Sequence, residues 1–216
     1  MSDPRPTRAC LIDALGTMVR LPPPWERADS AAVAGVDPAR VRAAFSEEMR
    51  FYAAHAQDAT GPESLAALRE RCADILSTGL RREIGVEAMM AAIQFEAYED
   101  AAPALEELRQ RGLRVVCLSN WDYALPEVLR RVGLADALDG VVTSASIGAR
   151  KPDPAIFEAG LELAGCTAAE ALHVGDGDED VAGARAAGIE VLRIDREGGG
   201  EGDIASLGEI VQHLRA

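Results

Sequence analysis

The feature that most narrows the possible folds is an alternation in the second half of the chain. LRVVCLS (113–119), GVVTS (140–144), ALHVGD (171–176) and IEVLRI (189–194) are short, apolar and rich in β-branched residues. Around them lie segments with apolar residues three and four apart: APALEELRQRG, ALPEVLRRVGL, AIFEAGLELAG and DVAGARAAG. The first set reads as strands and the second as amphipathic helices. RACLID at 8–13 is a further buried strand. Strands that are apolar on both faces need helices on both faces, which is the layering of a parallel α/β sheet. The expected core is Rossmann-like, with active residues at the carboxyl ends of the strands. A last helix is expected near 203–214, after a flexible GGGEGD loop at 198–203 for which no binding role is argued.

Residues 18–97 break this rhythm. A proline-rich LPPPW (21–25) is followed by three helical patterns at 37–56, 62–80 and 86–98. Asp37 is placed to cap the first, with Pro38 at the first helical position. Phe45, Phe51, Phe95 and the Met89–Met90 pair read as packing residues, and Trp25 as a contact between this block and the core. The block cannot join the sheet. The expected division is an α/β core from residues 1–17 and 98–216, with 18–97 as an inserted all-helical cap.

Composition restricts the partners. Hydrophobic residues make up 48%, which favours a packed globule. The formal charge of −14 argues against nucleic acid or an anionic membrane, since both call for a basic face. A small anionic substrate fits if a cation neutralises it locally. No run approaches the ~20 apolar residues of a membrane span, and MSDPRPTRAC has no apolar signal core, so a cytoplasmic protein is expected. The four cysteines are scattered without a CxxC pair and read as reduced thiols rather than disulfides or a zinc site. Of the 22 basic residues one is Lys, Lys151. A chain that otherwise uses Arg keeps an ammonium where a compact point charge is needed.

Several polar residues fall at strand ends or just beyond: Asp13, Ser119 with Asn120, Ser144, Asp176, and Asp180 one helical turn later. Singly, each is an ordinary turn or cap residue. Asp122 reads as an N-cap, and Asp178 and Glu179 as first-turn residues favoured by the helix dipole. A carboxylate, a hydroxyl, an ammonium and further acids appearing in this order are harder to explain as caps.

With DALGT, LSN, the Lys of KPDP and GDGDED in this order, the sequence resembles the haloacid dehalogenase-like hydrolase superfamily with a helical cap. The resemblance implies that Asp13 is a nucleophile forming a covalent intermediate, with Ser119 and Lys151 binding the oxygens of the transferring group. It implies Mg²⁺ held by the Asp13 carboxylate, the Leu15 carbonyl and Asp176, supported by Asp180. Thr17, Asn120 and Arg20 are the candidate substrate contacts.

Leu15 departs from the usual pattern, in which a second Asp at this position handles protons. Three readings are open. The first is a Mg²⁺-dependent phosphatase of a small phosphorylated metabolite that lacks this acid, with His55 or Asp122 as candidate replacements. The second is a metal-free 2-haloacid dehalogenase, in which halide leaves without a proton and Arg20 or Arg27 holds the substrate. GDGDED opposes it. The third, a phosphonate-cleaving enzyme, needs a cap Lys, and residues 18–97 contain none. A binding or regulatory module is a further alternative, opposed by the retention of Asp13, Ser119, Lys151 and Asp176.

Overall fold

The computed structural model describes residues 6–200 and 202–215. The chain begins with β1 (Ala9–Ile12), and a tight turn leads to β2 (Val19–Arg20). A helical block comes next: α1 (Pro24–Arg27), α2 (Ser30–Val33), α3 (Pro38–His55), α4 (Pro62–Leu80) and α5 (Val86–Ala92). β3 (Glu96–Ala97) returns the chain to the core. There α6 (Ala101–Gln110), β4 (Arg114–Ser119), α7 (Leu125–Arg131), β5 (Gly140–Thr143) and α8 (Ser144–Ile147) succeed one another. α9 (Pro154–Ala164), β6 (Ala171–Gly175), α10 (Asp178–Ala186), β7 (Glu190–Arg193) and a 3₁₀ helix (Leu207–Gln212) complete it.

Five strands form a parallel sheet in the order β5-β4-β1-β6-β7. β1 is central, with Ile12 opposite Cys117 of β4 and Val174 of β6. Chain order runs outward from β1 through β4 to β5, then crosses to β6 and β7. β1 therefore borders the switch point, where ligands of open α/β sheets bind.

The period-2 alternation of a strand sends β1 to two cores. Cys10 and Ile12 join Val115 and Cys117 under α6 and α7, through Leu105, Leu108 and Leu129. Ala9 and Leu11 join Val116 and Leu118 under α9 and α10, through Ile156, Phe157 and Ala184. A third cluster lies among the helices of the block, with Phe45, Leu65, Leu68, Leu76 and Met89 at its centre.

Three expectations are corrected. The helix expected at 86–98 stops at Ala92, and residues 96–97 instead pair antiparallel with Val19–Arg20. Two-residue strands carry no periodicity, and these partners are far apart in sequence, so neither is visible locally. The last helix is a 3₁₀ turn over 207–212. Asp37 occupies the N-cap position of α3 without a side-chain capping bond.

α10 approaches α9 and the loop before it closely. A Cβ on Gly183 would run into the Phe157 ring and lie 3.0 Å from Pro152 Cα. Backbone cannot yield as a flexible side chain does, and overpacking of this kind costs about 1–3 kcal/mol. Gly183→Ala is expected to lose that amount of unfolding free energy, read as a lower urea midpoint with an unchanged slope. Full stability in the variant would show that α10 can shift away.

Candidate active site

Asp13 comes directly after β1, and its amide donates to Val174 O at 2.9 Å, prolonging the ladder to β6. The chain then folds back, with the amides of Met18 and Val19 both donating to Ala14 O, at 2.9 and 2.8 Å. Gly16 has a φ of 82°, and a Cβ there would collide with the Asp176 carboxylate. Glycine is what allows Asp176 to stand against this turn.

Lys151, only 3% exposed, places Nζ 2.6 Å from Asp13 Oδ1 and 2.6 Å from Asp180 Oδ1. Asn120 fixes its backbone: Lys151 N donates to Asn120 Oδ1 at 2.8 Å, and Asn120 Nδ2 donates to Lys151 O at 3.2 Å. Asp180, in the first turn of α10, also takes His173 Nε2 on Oδ1 at 2.7 Å and Gly177 N on Oδ2 at 3.2 Å. An ionised carboxylate only accepts, so His173 Nε2–H is the donor in this bond. Its Nδ1 is buried without a partner among the described residues, and the ring packs edge-on against Phe157.

The site is short of positive charge. Burial pushes Asp13 up, while Lys151 and the Ser119 hydroxyl pull the other way. Burial would lower Lys151, but Asp13 and Asp180 outweigh it and hold the ammonium above its ordinary value. Burial also opposes Asp180, yet the His173 bond and the Lys151 charge carry it down to about 2. Asp176 is pushed up to about 6, by burial first and then by Asp13 and Asp180. Oxygens of Asp13, Asp176 and Asp180 lie within 4.8 Å of one another.

Above the strand ends is a cavity of about 400 Å³. Its floor includes Asp13, Ser119, Lys151 and Asp176, and Met49, Met89, Met90 and Ile93 from the helical block lie in its wall. Leu15 also lines it and is 41% exposed, so no acid reaches the cavity from this position.

The other expected residues divide between the cavity and its surroundings. Thr17 is fully buried off the cavity wall, with Oγ1 donating to Asp176 Oδ1 at 3.5 Å. Asn120 lines the cavity, but its amide is occupied by the Lys151 backbone. Arg20 is not brought to the wall; it forks onto Glu96 Oε2 at 3.2 and 3.0 Å, and Arg27 pairs with the same carboxylate. His55 also lies off the wall, bonded through Nδ1 to Phe51 O and stacked on the Phe51 ring. Asp122 lines the cavity and is not the residue at the N-cap of α7, which is Ala124. Its Oδ1 accepts from Ala124 N at 2.6 Å and its Oδ2 from Tyr52 Oη at 2.7 Å. The Ser144 hydroxyl is spent on the Trp121 backbone.

The family model for haloacid dehalogenase-like hydrolase matches residues 7–188. The chain belongs to this hydrolase family. Phosphatase MT3486 of Mycobacterium tuberculosis is 39% identical over 122 residues, 54% of this chain and 56% of that protein. Phosphoglycolate phosphatase of Rhodospirillum rubrum is 39% identical over 114 residues, 52% and 47% of the two chains. The chain thus spans about half the length of these curated relatives. The structure of L-2-haloacid dehalogenase from Xanthobacter autotrophicus matches with a TM-score of 0.68 and 26% identity, covering 89% of this chain and 79% of that one.

Two consequences can be measured. Lys151→Met strands two buried carboxylates, so a loss of about 3–5 kcal/mol in unfolding free energy is expected at neutral pH. Near-wild-type stability would contradict a paired Lys151. The second concerns acid. Asp180 falls from an ordinary 3.8 to about 2, so its stabilisation is complete above 3.8 and is lost as pH falls through about 2. Urea titrations across that window are expected to show a shallower pH dependence in Asp180→Asn than in wild type.

Proposed function

We propose that this hydrolase is a Mg²⁺-dependent phosphatase of small phosphorylated metabolites, working through an aspartyl-phosphate on Asp13. The observation that carries the reading is the charge imbalance at the strand ends, where three carboxylates converge on one ammonium. Such a set suits a hard divalent cation with oxygen ligands. Asp13, Asp176 and the Leu15 carbonyl would hold Mg²⁺, with Asp180 in support because Lys151 and His173 already engage its Oδ1. When bound, Mg²⁺ supplies the positive charge that lets a phosphate approach these acids. In this reading residues 1–17 and 98–216 are the catalytic core and 18–97 the cap.

The chain's own groups divide the work. Lys151 and Asn120 keep Asp13 Oδ1 fixed, which leaves Oδ2 to attack phosphorus. The P–O bond to Asp13 forms as the bond to the leaving oxygen breaks. Ser119 and Lys151 receive the phosphoryl oxygens, and water then releases phosphate from Asp13. No side chain at position 15 can protonate the leaving group, and both oxygens of Asp122 are engaged. General-acid help is typically worth ~10²–10⁴-fold, so esters of poor leaving groups should suffer by that order.

A second reading, halide displacement from a 2-haloacid, draws on Leu15 and on the haloacid dehalogenase structure. The acidic cluster opposes it, because a substrate carboxylate would meet Asp13 and Asp176 unscreened.

The test compares hydrolysis of an aryl phosphate with a matched alkyl phosphate, with and without Mg²⁺. Expected are Mg²⁺-dependent cleavage of the aryl ester, slow cleavage of the alkyl ester, loss of both in Asp13→Asn, and faster alkyl cleavage in Leu15→Asp. Activity surviving in Asp13→Asn, or chloride release from a 2-chloroacid without phosphate cleavage, would overturn the proposal.

A further inference from the structure

One buried carboxyl in the cavity wall takes no part in the chemistry above. Glu48 of α3 is 2% exposed and lines the cavity, and its Oε2 has no hydrogen-bond partner among the described residues. The helical block adds Met49, Met89 and Met90 to the same wall, together with Tyr52 and Arg69. Burial pushes its carboxyl above the ordinary range, and the Cys72 thiol is the one group that works against this. That thiol is itself pushed up to about 12, by burial and then by Glu48, so it stays protonated and acts as a donor. A buried carboxyl with an open oxygen is costly for the protein alone, and the cost is removed by a ligand that brings a donor.

The rest of the wall defines what that ligand looks like. Phe95 and Trp121 line the cavity with their rings 4.8 Å apart. Together with the methionines they match an apolar or aromatic body extending away from Asp13. The ligand expected is anionic at the strand ends, apolar in the middle and cationic at the end that meets Glu48.

We infer that Glu48 is a specificity-determining residue that receives an ammonium group carried on the leaving group of the substrate, so that the enzyme selects amine-bearing phosphomonoesters. The inference deepens the phosphatase reading and rests on it for the phosphate end of the substrate. The ammonium donates to Oε2, the carboxyl oxygen that the wall leaves open although Arg69, Arg131 and Arg150 also line the cavity. The aromatic body fills the apolar wall without needing a polar partner. A substrate of this kind has a leaving group held at its far end, which orients the P–O bond over Asp13.

The test is a selectivity measured by binding, so it does not depend on turnover. The probes are para-substituted arylphosphonates that differ only in the arm, aminomethyl or aminoethyl against methyl or ethyl. The same arms on arylacetates form a second series. Calorimetric titration with the full chain is expected to show about 10- to 100-fold tighter binding of the ammonium-armed member. In Glu48→Gln, and in Glu48→Leu as the second variant, the ratio is expected to fall to near unity, with retained circular dichroism showing that each is folded. No preference in wild type, or the same preference in a folded variant, overturns the inference. Ammonium selectivity that depends on Glu48 in the acetate series, with no phosphate ester cleaved, supports Glu48 while removing the phosphatase reading. Cleavage of aryl phosphate with no ammonium preference does the reverse.

Discussion

The Lys151 ammonium between Asp13 and Asp180 is the interaction on which the rest of the site depends. It joins the end of β1 to the first turn of α10, two elements that share no backbone ladder. Asn120 anchors it from the end of β4, and His173 continues the network into the sheet through Asp180. Four chain segments thus converge on one cation. Such a group is stable only as a unit, because a buried charge that loses its partner is strongly penalised. The sheet order makes the convergence possible. β1 lies between β4 and β6 and all three run the same way, so the loops leaving their carboxyl ends reach the same side.

The turn after Asp13 serves geometry as much as chemistry. Gly16 opens space for Asp176, and Thr17 bonds that carboxylate from beneath. Arg196 then secures the crossing into the helical block. It donates to Thr17 O at 2.6 Å, forks onto Asp100 and lies over the Tyr98 ring. Both places where the chain passes between sheet and helices are therefore tied to the loop after β7. The covering helices are joined to the core by a two-residue strand pair on one side and by Tyr52 and Asp122 on the other.

Much of this is legible in the sequence because it is written locally. Strand runs ending in polar residues indicate the sheet and the side on which the site lies. The lone Lys among 22 basic residues points to Lys151, and an apolar residue at 15 points to the missing acid. The features that stay hidden depend on partners distant in sequence. Arg20 reads as a free cation until the strand pair sets Glu96 beside it. Asn120 reads as a substrate contact, but it serves the Lys151 backbone. His173 and Glu48 do leave signals. An imidazole inside a strand buried on both faces needs a partner. Glu48 lies on the apolar stripe of α3, between Phe45 and Tyr52 at helical spacing, where a carboxyl has no solvent to turn to.

The cavity wall carries one more consequence. Met49, Met89 and Met90 have unbranched, polarizable side chains that repack at low cost. A wall built from them yields to ligands of different outline, so shape alone discriminates weakly. Buried ionised groups do not yield in this way, since each demands a specific counterpart. A pocket that is soft in its apolar parts and rigid in its charged ones reads polarity before contour, and new substrates can be admitted by changing one charge without rebuilding the surrounding helices.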